Sequence, residues 1–523
     1  MKRIGVIHPF FFAVYSILGI YSQNATQVPV DWLIRPLVFQ VLIAILLFGL
    51  VNRIVKDREY AGWVTTLSLI WLFAGHLYRL LLGLSPFWRT PFGGLLALLL
   101  FSALLLILAR RNLWQRLTNP RAITSFLNTI SLFLVLFSAS VVVAALYRSN
   151  SQVRMIRERI SGFDVPLSGA ELSPPDIYLI ILDAYGREDV LLDLYEFDNS
   201  KFITFLKDQG FYIAGESSAN YPQTELSISS SMNLQYLDGI VEGFGDTEDR
   251  SPLRELIQHT VLRRILEEQG YQFVALPSAA LFAQIKDADV YLGLTSWDFN
   301  EFEGLVLSST IVGVFVESWG VELPVQGYRL HRDYILYPLD KLQEVPEIPG
   351  PKFVFAHLLS PHPPFIFDTT GEFTVPDQPY STWDASLFPG TPEEYKKGYI
   401  NQMVYLNSRL IDVITAILEN SPTPPIIIIQ GDHGPGAYYD TLELDESCLI
   451  ERYSILNAYF FPDQAYEALY PSISPVNSYR VILNQYFGAN LELLEDRNYF
   501  AGWLSPYQFT DVSDKIKNAC LIP

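Results

Sequence analysis

The spacing of apolar and polar positions changes character once along the chain. Up to residue 147, five stretches are almost wholly apolar: 4–21, 33–51, 63–82, 93–109 and 123–147. Each is long enough to cross a bilayer as a helix. Arg35 interrupts the second near its edge, where it can snorkel, and His76 and Arg79 lie in the third. Beyond residue 175 the apolar runs are short and alternate with amphipathic stretches. Strands are predicted at 176–182, 211–214, 271–276, 352–359, 426–429 and 453–461. Helices are predicted at 199–209, 224–232, 251–268, 392–420 and 476–487. Strands alternating with helices imply an α/β domain with a mostly parallel central sheet and helices on both faces. The layout is therefore a membrane domain at 1–147, a connector at 148–175, an α/β domain at 176–490 and a C-terminal extension at 491–523.

Charge divides the chain at the same place. Residues 1–150 hold 13 Lys and Arg against 3 Asp and Glu, leaving 23 against 53 for the remainder. So acidic a body argues against nucleic acid as a partner. Basic residues cluster before the first apolar stretch (Lys2, Arg3), between the second and third (Arg53, Lys56, Arg58) and between the fourth and fifth (Arg110, Arg111, Arg116, Arg121). The amino terminus is thus expected in the cytoplasm and everything after Tyr147 outside it. Arg154, Arg157 and Arg159 in the connector suit either lipid headgroups or water. Cys448 and Cys520, the only cysteines, are free to pair or to stay reduced.

Three polar motifs stand at predicted element ends. The run Ile426-Ile-Ile-Ile-Gln-Gly-Asp-His-Gly434 ends in a carboxylate and an imidazole, both ligands for a divalent metal. Asp183 ends the strand at 176–182 in the same way, and Arg187 follows as a local positive charge for an anionic substrate. In Asn220-Tyr-Pro-Gln-Thr224 the threonine stands where a helix begins. It is either an N-cap or a nucleophile favoured as alkoxide by the helix N-terminus and a neighbouring metal.

Together with Phe353-Val-Phe-Ala-His-Leu-Leu-Ser-Pro-His-Pro-Pro-Phe365, these motifs resemble the sulfatase-like branch of the alkaline phosphatase superfamily. Within that branch the layout is similar to membrane-bound lipoteichoic acid synthases and phosphoethanolamine transferases, whose five membrane helices precede an extracytoplasmic catalytic domain. The resemblance implies that Asp183, Thr224, Asp432 and His433 bind one divalent cation, manganese or zinc before magnesium or calcium. It makes Thr224 the nucleophile and has His362 contact the transferred group or protonate the leaving oxygen. His357 then lines the same pocket or is packed in its strand. His8, His76, His259 and His331 carry no motif. The substrate would be a phosphate or sulfate ester, and a site near the bilayer suits a lipid-linked donor. No Cys/Ser-x-Pro-x-Arg pentapeptide occurs, which weighs against formylglycine sulfatase chemistry. The alternatives are a sulfuric ester hydrolase and a non-catalytic membrane-anchored binding module. Residues 277–350 are expected to hold the loops that shape the pocket.

Overall fold

A computed structural model describes residues 5–116, 119–167, 175–294, 300–313, 319, 327–376, 380–445, 447–516 and 520. The chain forms two units: Met1–Asn150 with Trp297–Gly327, and Ser151–Ser296 with Tyr328–Pro523.

Three described helices are long and apolar enough to cross a membrane: Val30–Val55, Pro91–Leu108 and Pro120–Ser161, the last of which extends past the first unit's boundary at Asn150. The other two expected spans differ. The first is a helix of 15 residues, His8–Ser22. The third is broken at Phe73 and Ala74 into Arg58–Leu72 and Gly75–Leu84. The side chains of His76 and Arg79 lie outside the described residues. Large apolar side chains point outward from these helices, Phe39, Leu46 and Leu106 among them, as surfaces that meet lipid do. A short helix, Glu301–Ser308, belongs to this unit, capped by Asn300. Its Phe302 packs edge-on against Tyr21, and Glu303 pairs with Arg35. This part of 277–350 is therefore a piece of the first unit.

The second unit is built on a seven-stranded sheet. In chain order its strands are β1 (Ile177–Leu182), β2 (Tyr212–Ile213), β3 (Gln272–Ala275), β4 (Val290–Tyr291), β5 (Lys352–Leu358), β6 (Ile426–Gly431) and β7 (Asn457–Phe460). Their spatial order is β2-β7-β6-β1-β5-β3-β4. From β6 to β4 the pairings are parallel; β7 joins β6, and β2 joins β7, antiparallel. Alternate residues of β1 and β6 serve two separate cores, Ile177, Leu179, Ile426 and Ile428 on one face and Tyr178, Ile180, Ile427 and Ile429 on the other. A strand covered on both faces has no polar positions to spare, hence the unbroken isoleucine run.

The Thr224–Met232 and Pro392–Asn420 helices match the predicted bounds. The helix predicted at 251–268 is two, Ser251–Gln258 and Val261–Glu268, because the Thr260 hydroxyl accepts from the Arg263 amide and caps a new start. The strand predicted at 453–461 begins only at Asn457, with Tyr453 closing the short helix Leu449–Tyr453. The first half of the connector is helical, since the helix from Pro120 continues to Ser161, and 168–174 lie outside the described residues. Within the second unit Arg157 forks onto the Glu255 carboxylate, and Arg159 donates to the Ile240 and Glu242 carbonyls. Both thus have partners within the protein.

The stretch after 490 is part of the second unit. It carries a small hairpin, β8 (Tyr499–Phe500) with β9 (Thr510–Asp511), and a disulfide joins Cys520 to Cys448 across a Cα–Cα distance of 4.9 Å.

Candidate active site

Strand register builds the site. Leu182 at the end of β1 pairs with Leu358 of β5 and Gly431 of β6. Asp183 and Asp432 therefore leave the same rim of the sheet side by side, with His357 one residue back on β5. That is where parallel α/β sheets collect functional groups. Ala184 takes the left-handed conformation (φ 65°), costly for a residue with a Cβ, and its amide donates to Asp432 Oδ1 at 3.1 Å. Gly431 and Gly434 are required by close approach. A Cβ on Gly431 would lie 2.4 Å from the Tyr185 carbonyl oxygen, and one on Gly434 would lie 2.1 Å from that of Glu451.

Thr224 is the first residue of its helix; the N-cap position is Gln223, whose side chain makes no cap bond. The Thr224 hydroxyl is therefore not used as a cap. Its Oγ1 lies 3.4 Å from Asp183 Oδ2 and 3.2 Å from His433 Nε2. His433 Nε2 is 3.5 Å from Asp183 Oδ1 and 3.6 Å from Asp432 Oδ2. The four side chains Asp183, Thr224, Asp432 and His433, drawn from three segments of the sequence, thus meet in one place.

His357 is fully buried. Its Nδ1 meets the Ser278 hydroxyl at 2.8 Å, and its Nε2 stands 3.4 Å from Asp183 Oδ2. His362 lies on the loop after β5; its amide donates to the Asp183 carbonyl and its Nδ1 lies 2.6 Å from the Pro363 carbonyl. Its Nε2 is 3.8 Å from Asp384 Oδ2.

Arg187 is not brought to the group. Its guanidinium forks onto Asp189, two residues along, and its remaining Nη1 donates to the Ser217 carbonyl. A permanent positive charge at the site is instead Arg452, a residue that no sequence motif singled out. Arg452 is 4% exposed. It donates to Asp384 Oδ2 at 2.5 Å, to the Pro222 carbonyl at 2.8 Å and to His433 Nε2 at 3.2 Å. Asp384, equally buried, also accepts from Tyr395. Neither residue sits in a motif, since one lies in an irregular loop and the other in a five-residue helix. His331 is also buried here and close enough to feel His362 and Asp183; burial, then the His362 charge, pushes it down to about 3.

Electrostatics separate the groups. Burial alone would raise the Asp183 carboxyl, but the imidazoles of His362, His357 and His433 outweigh it and hold the group below the usual carboxylate range. Burial would lower His362, yet Asp183 and Asp384 raise it, favouring imidazolium. His433 goes the other way, lowered by burial and by Arg452. Its Nδ1 donates to the Gly434 carbonyl at 2.9 Å, which leaves the lone pair on Nε2.

Among the buried polar atoms without a hydrogen-bond partner, three belong to adjoining strand ends: Asp183 Oδ1, Asp432 Oδ2 and His357 Nε2. Buried polar groups are nearly always paired, so three orphans on adjoining strands need an explanation. One ligand atom from each of these residues lies within 4.8 Å of the others. A mixed oxygen and nitrogen set of this size fits a divalent cation.

No protein-family model matches the sequence, and no curated protein does. Solved structures do. The C-terminal periplasmic domain of EcEptC from Escherichia coli, in complex with zinc, aligns at 14% identity and TM-score 0.43, covering 67% of this chain and 97% of that one. The corresponding domain of phosphoethanolamine transferase EptC from Campylobacter jejuni gives 13% identity and TM-score 0.37, over 64% and 95%. BT1596, a 2-O GAG sulfatase, gives 12% and 0.39, over 66% and 76%. Likeness of this degree decides nothing about chemistry, which is read from the chain's own atoms.

Proposed function

We propose that the chain is a membrane-anchored, sulfatase-like metalloenzyme that transfers or hydrolyses a phosphate-type ester through Thr224. The observation that carries this is the Thr224 hydroxyl, 3.4 Å from one carboxylate and 3.2 Å from an imidazole, beside three orphaned ligand atoms. Asp183, Asp432, Thr224 and His433 would hold one cation, with His357 as a further ligand. Manganese and zinc suit the donors best. Once bound, such a cation lowers the hydroxyl pKa and offsets charge on the transferred group.

The chain's own residues supply the rest. Asp183 orients the hydroxyl. Thr224 Oγ1 passes its proton to Asp183 Oδ2, 3.4 Å away, and forms a bond to phosphorus while the ester P–O bond breaks. His362, as imidazolium, gives its proton to the departing oxygen. Water or a sugar hydroxyl then attacks phosphorus and gives its proton to the now neutral His362, while the P–Oγ1 bond breaks and Thr224 regains its proton from Asp183. The apolar helices of the first unit anchor the enzyme, and the basic clusters between them put the amino terminus in the cytoplasm and the catalytic domain outside. All five apolar stretches are assigned as membrane segments. A lipid-linked donor suits that placement.

Thr224→Ala in the detergent-solubilised full chain should abolish aryl phosphate turnover and leave the unfolding midpoint unchanged. Mass spectrometry of the wild type, quenched in turnover, should find a phosphorylated Thr224. Undiminished turnover by the variant would end the assignment. Aryl sulfate turnover exceeding aryl phosphate turnover would make the enzyme a sulfuric ester hydrolase instead.

A further inference from the structure

We infer that Arg452 is a latch on His433: its guanidinium holds the imidazole nitrogen that a divalent cation needs, and cation binding releases that N–H toward the anionic oxygens of the substrate. The inference rests on the metal site proposed above.

His433 has one lone pair to offer. Its Nδ1 hydrogen is committed to the Gly434 carbonyl, so the lone pair is on Nε2. Arginine can only donate, and Arg452 Nη2 stands 3.2 Å from that nitrogen. A single lone pair cannot accept from a guanidinium and bind a cation together. The other arms of Arg452 are tied down, Nε to the Pro222 carbonyl and Nη1 to Asp384, which Tyr395 holds in turn. The Nη2 arm has no protein acceptor but His433 among the described residues. When a cation takes Nε2, the ring of contacts keeps the guanidinium in place and only this N–H is set free.

The freed donor is well placed. Pro222, to which Arg452 is anchored, lies two residues before Thr224, and the His433 nitrogen it leaves is 3.2 Å from the Thr224 hydroxyl. A planar, permanently charged donor there suits phosphoryl oxygens. Cation and anion would then bind cooperatively, since each favours the released state. The cost is paid in cation affinity, because the metal must first displace a hydrogen bond.

The test uses the detergent-solubilised full chain, stripped of metal. Zinc affinity is read by competition with a chromogenic chelator for the wild type, R452K and R452Q. Phosphate affinity is read with and without zinc. Both variants should bind zinc about tenfold tighter, roughly the net worth of one hydrogen bond. Wild type should bind inorganic phosphate more tightly with zinc than without, and in R452Q that difference should shrink to what the zinc charge alone supplies. Lysine keeps the charge but cannot span Asp384 and His433. An R452K affinity equal to wild type would therefore assign the effect to charge repulsion and overturn the latch. A wild type that binds no zinc would instead sink the metal site itself. Should the arginine variants fail to fold, a zinc-bound structure of the wild type decides. Arg452 Nη2 still within hydrogen-bond distance of His433 Nε2 refutes the latch, and separation supports it.

Discussion

Glu451 is a carboxylic acid sealed beside the site, and replacing it with glutamine should flatten the pH dependence of stability. Burial is the largest influence on it, pushing it from 4.5 up to about 7. Hydrogen bonds from the Tyr195 hydroxyl and the Tyr438 amide, and the charge of Arg452, oppose that rise without cancelling it, while Asp384 adds to it. The folded value lies above the unfolded one, so the favourable contribution is whole below about pH 4.5 and is lost as pH rises through about 7. A shift of this size corresponds to about 3 kcal/mol at full ionisation, of which roughly 2.5 falls between pH 5 and 8. Urea unfolding of the full chain in detergent, followed by tryptophan fluorescence, measures it. Wild type should lose that much between pH 5 and 8 beyond whatever E451Q loses. Glutamine stays neutral and keeps an acceptor for one of the two donors. Identical slopes for the two proteins would show that Glu451 does not titrate in this window.

Three further outcomes are expected. Gly434→Ala puts a Cβ 2.1 Å from the Glu451 carbonyl oxygen and 2.9 Å from that of Ser454; the backbone must move, at about 3 kcal/mol in urea unfolding, and zinc affinity should fall because His433 is adjacent. Reducing the Cys448–Cys520 disulfide, which closes a separation of 72 residues, should cost about 4 kcal/mol on the chain-entropy model, with Cys448→Ser reproducing the loss. Stripping metal with a chelator should lower the unfolding midpoint of the wild type, by about 2.7 kcal/mol relative to zinc at a hundred times its dissociation constant, and should leave Asp432→Asn unmoved.

The parts of the molecule legible from sequence are those where one residue type is forced by one local demand. A strand buried on both faces must be apolar, so β1, β5 and β6 announced themselves, and the polar residues that end them stood out. The long helical pattern at 392–420 was legible too, and the structure adds the Thr391–Glu394 capping box that starts it. What stayed hidden depends on tertiary approach. Asp384 and Arg452 lie in short irregular segments with no periodicity, and only the folded chain shows that they neutralise each other beside His433. Arg187 looked suitable because it followed Asp183 closely, but side chains four apart across a turn point apart, and Asp189 was nearer. The break at Thr260 was visible only as an ordinary polar residue within an amphipathic run.

The stretch 497–503 clasps the loop that leads into Thr224. Asn220 donates to the Arg497 carbonyl, Asn498 to that of Ala219, and Gln223 to that of Ala501, at 2.7–2.9 Å across a sequence separation of 277–279 residues. Such long-range closure comes late in folding. A ribosome releasing this chain would have delivered both carboxylates and the imidazole long before the threonine could settle against them, so the order of synthesis itself withholds the completed cluster until the polypeptide has passed residue 503.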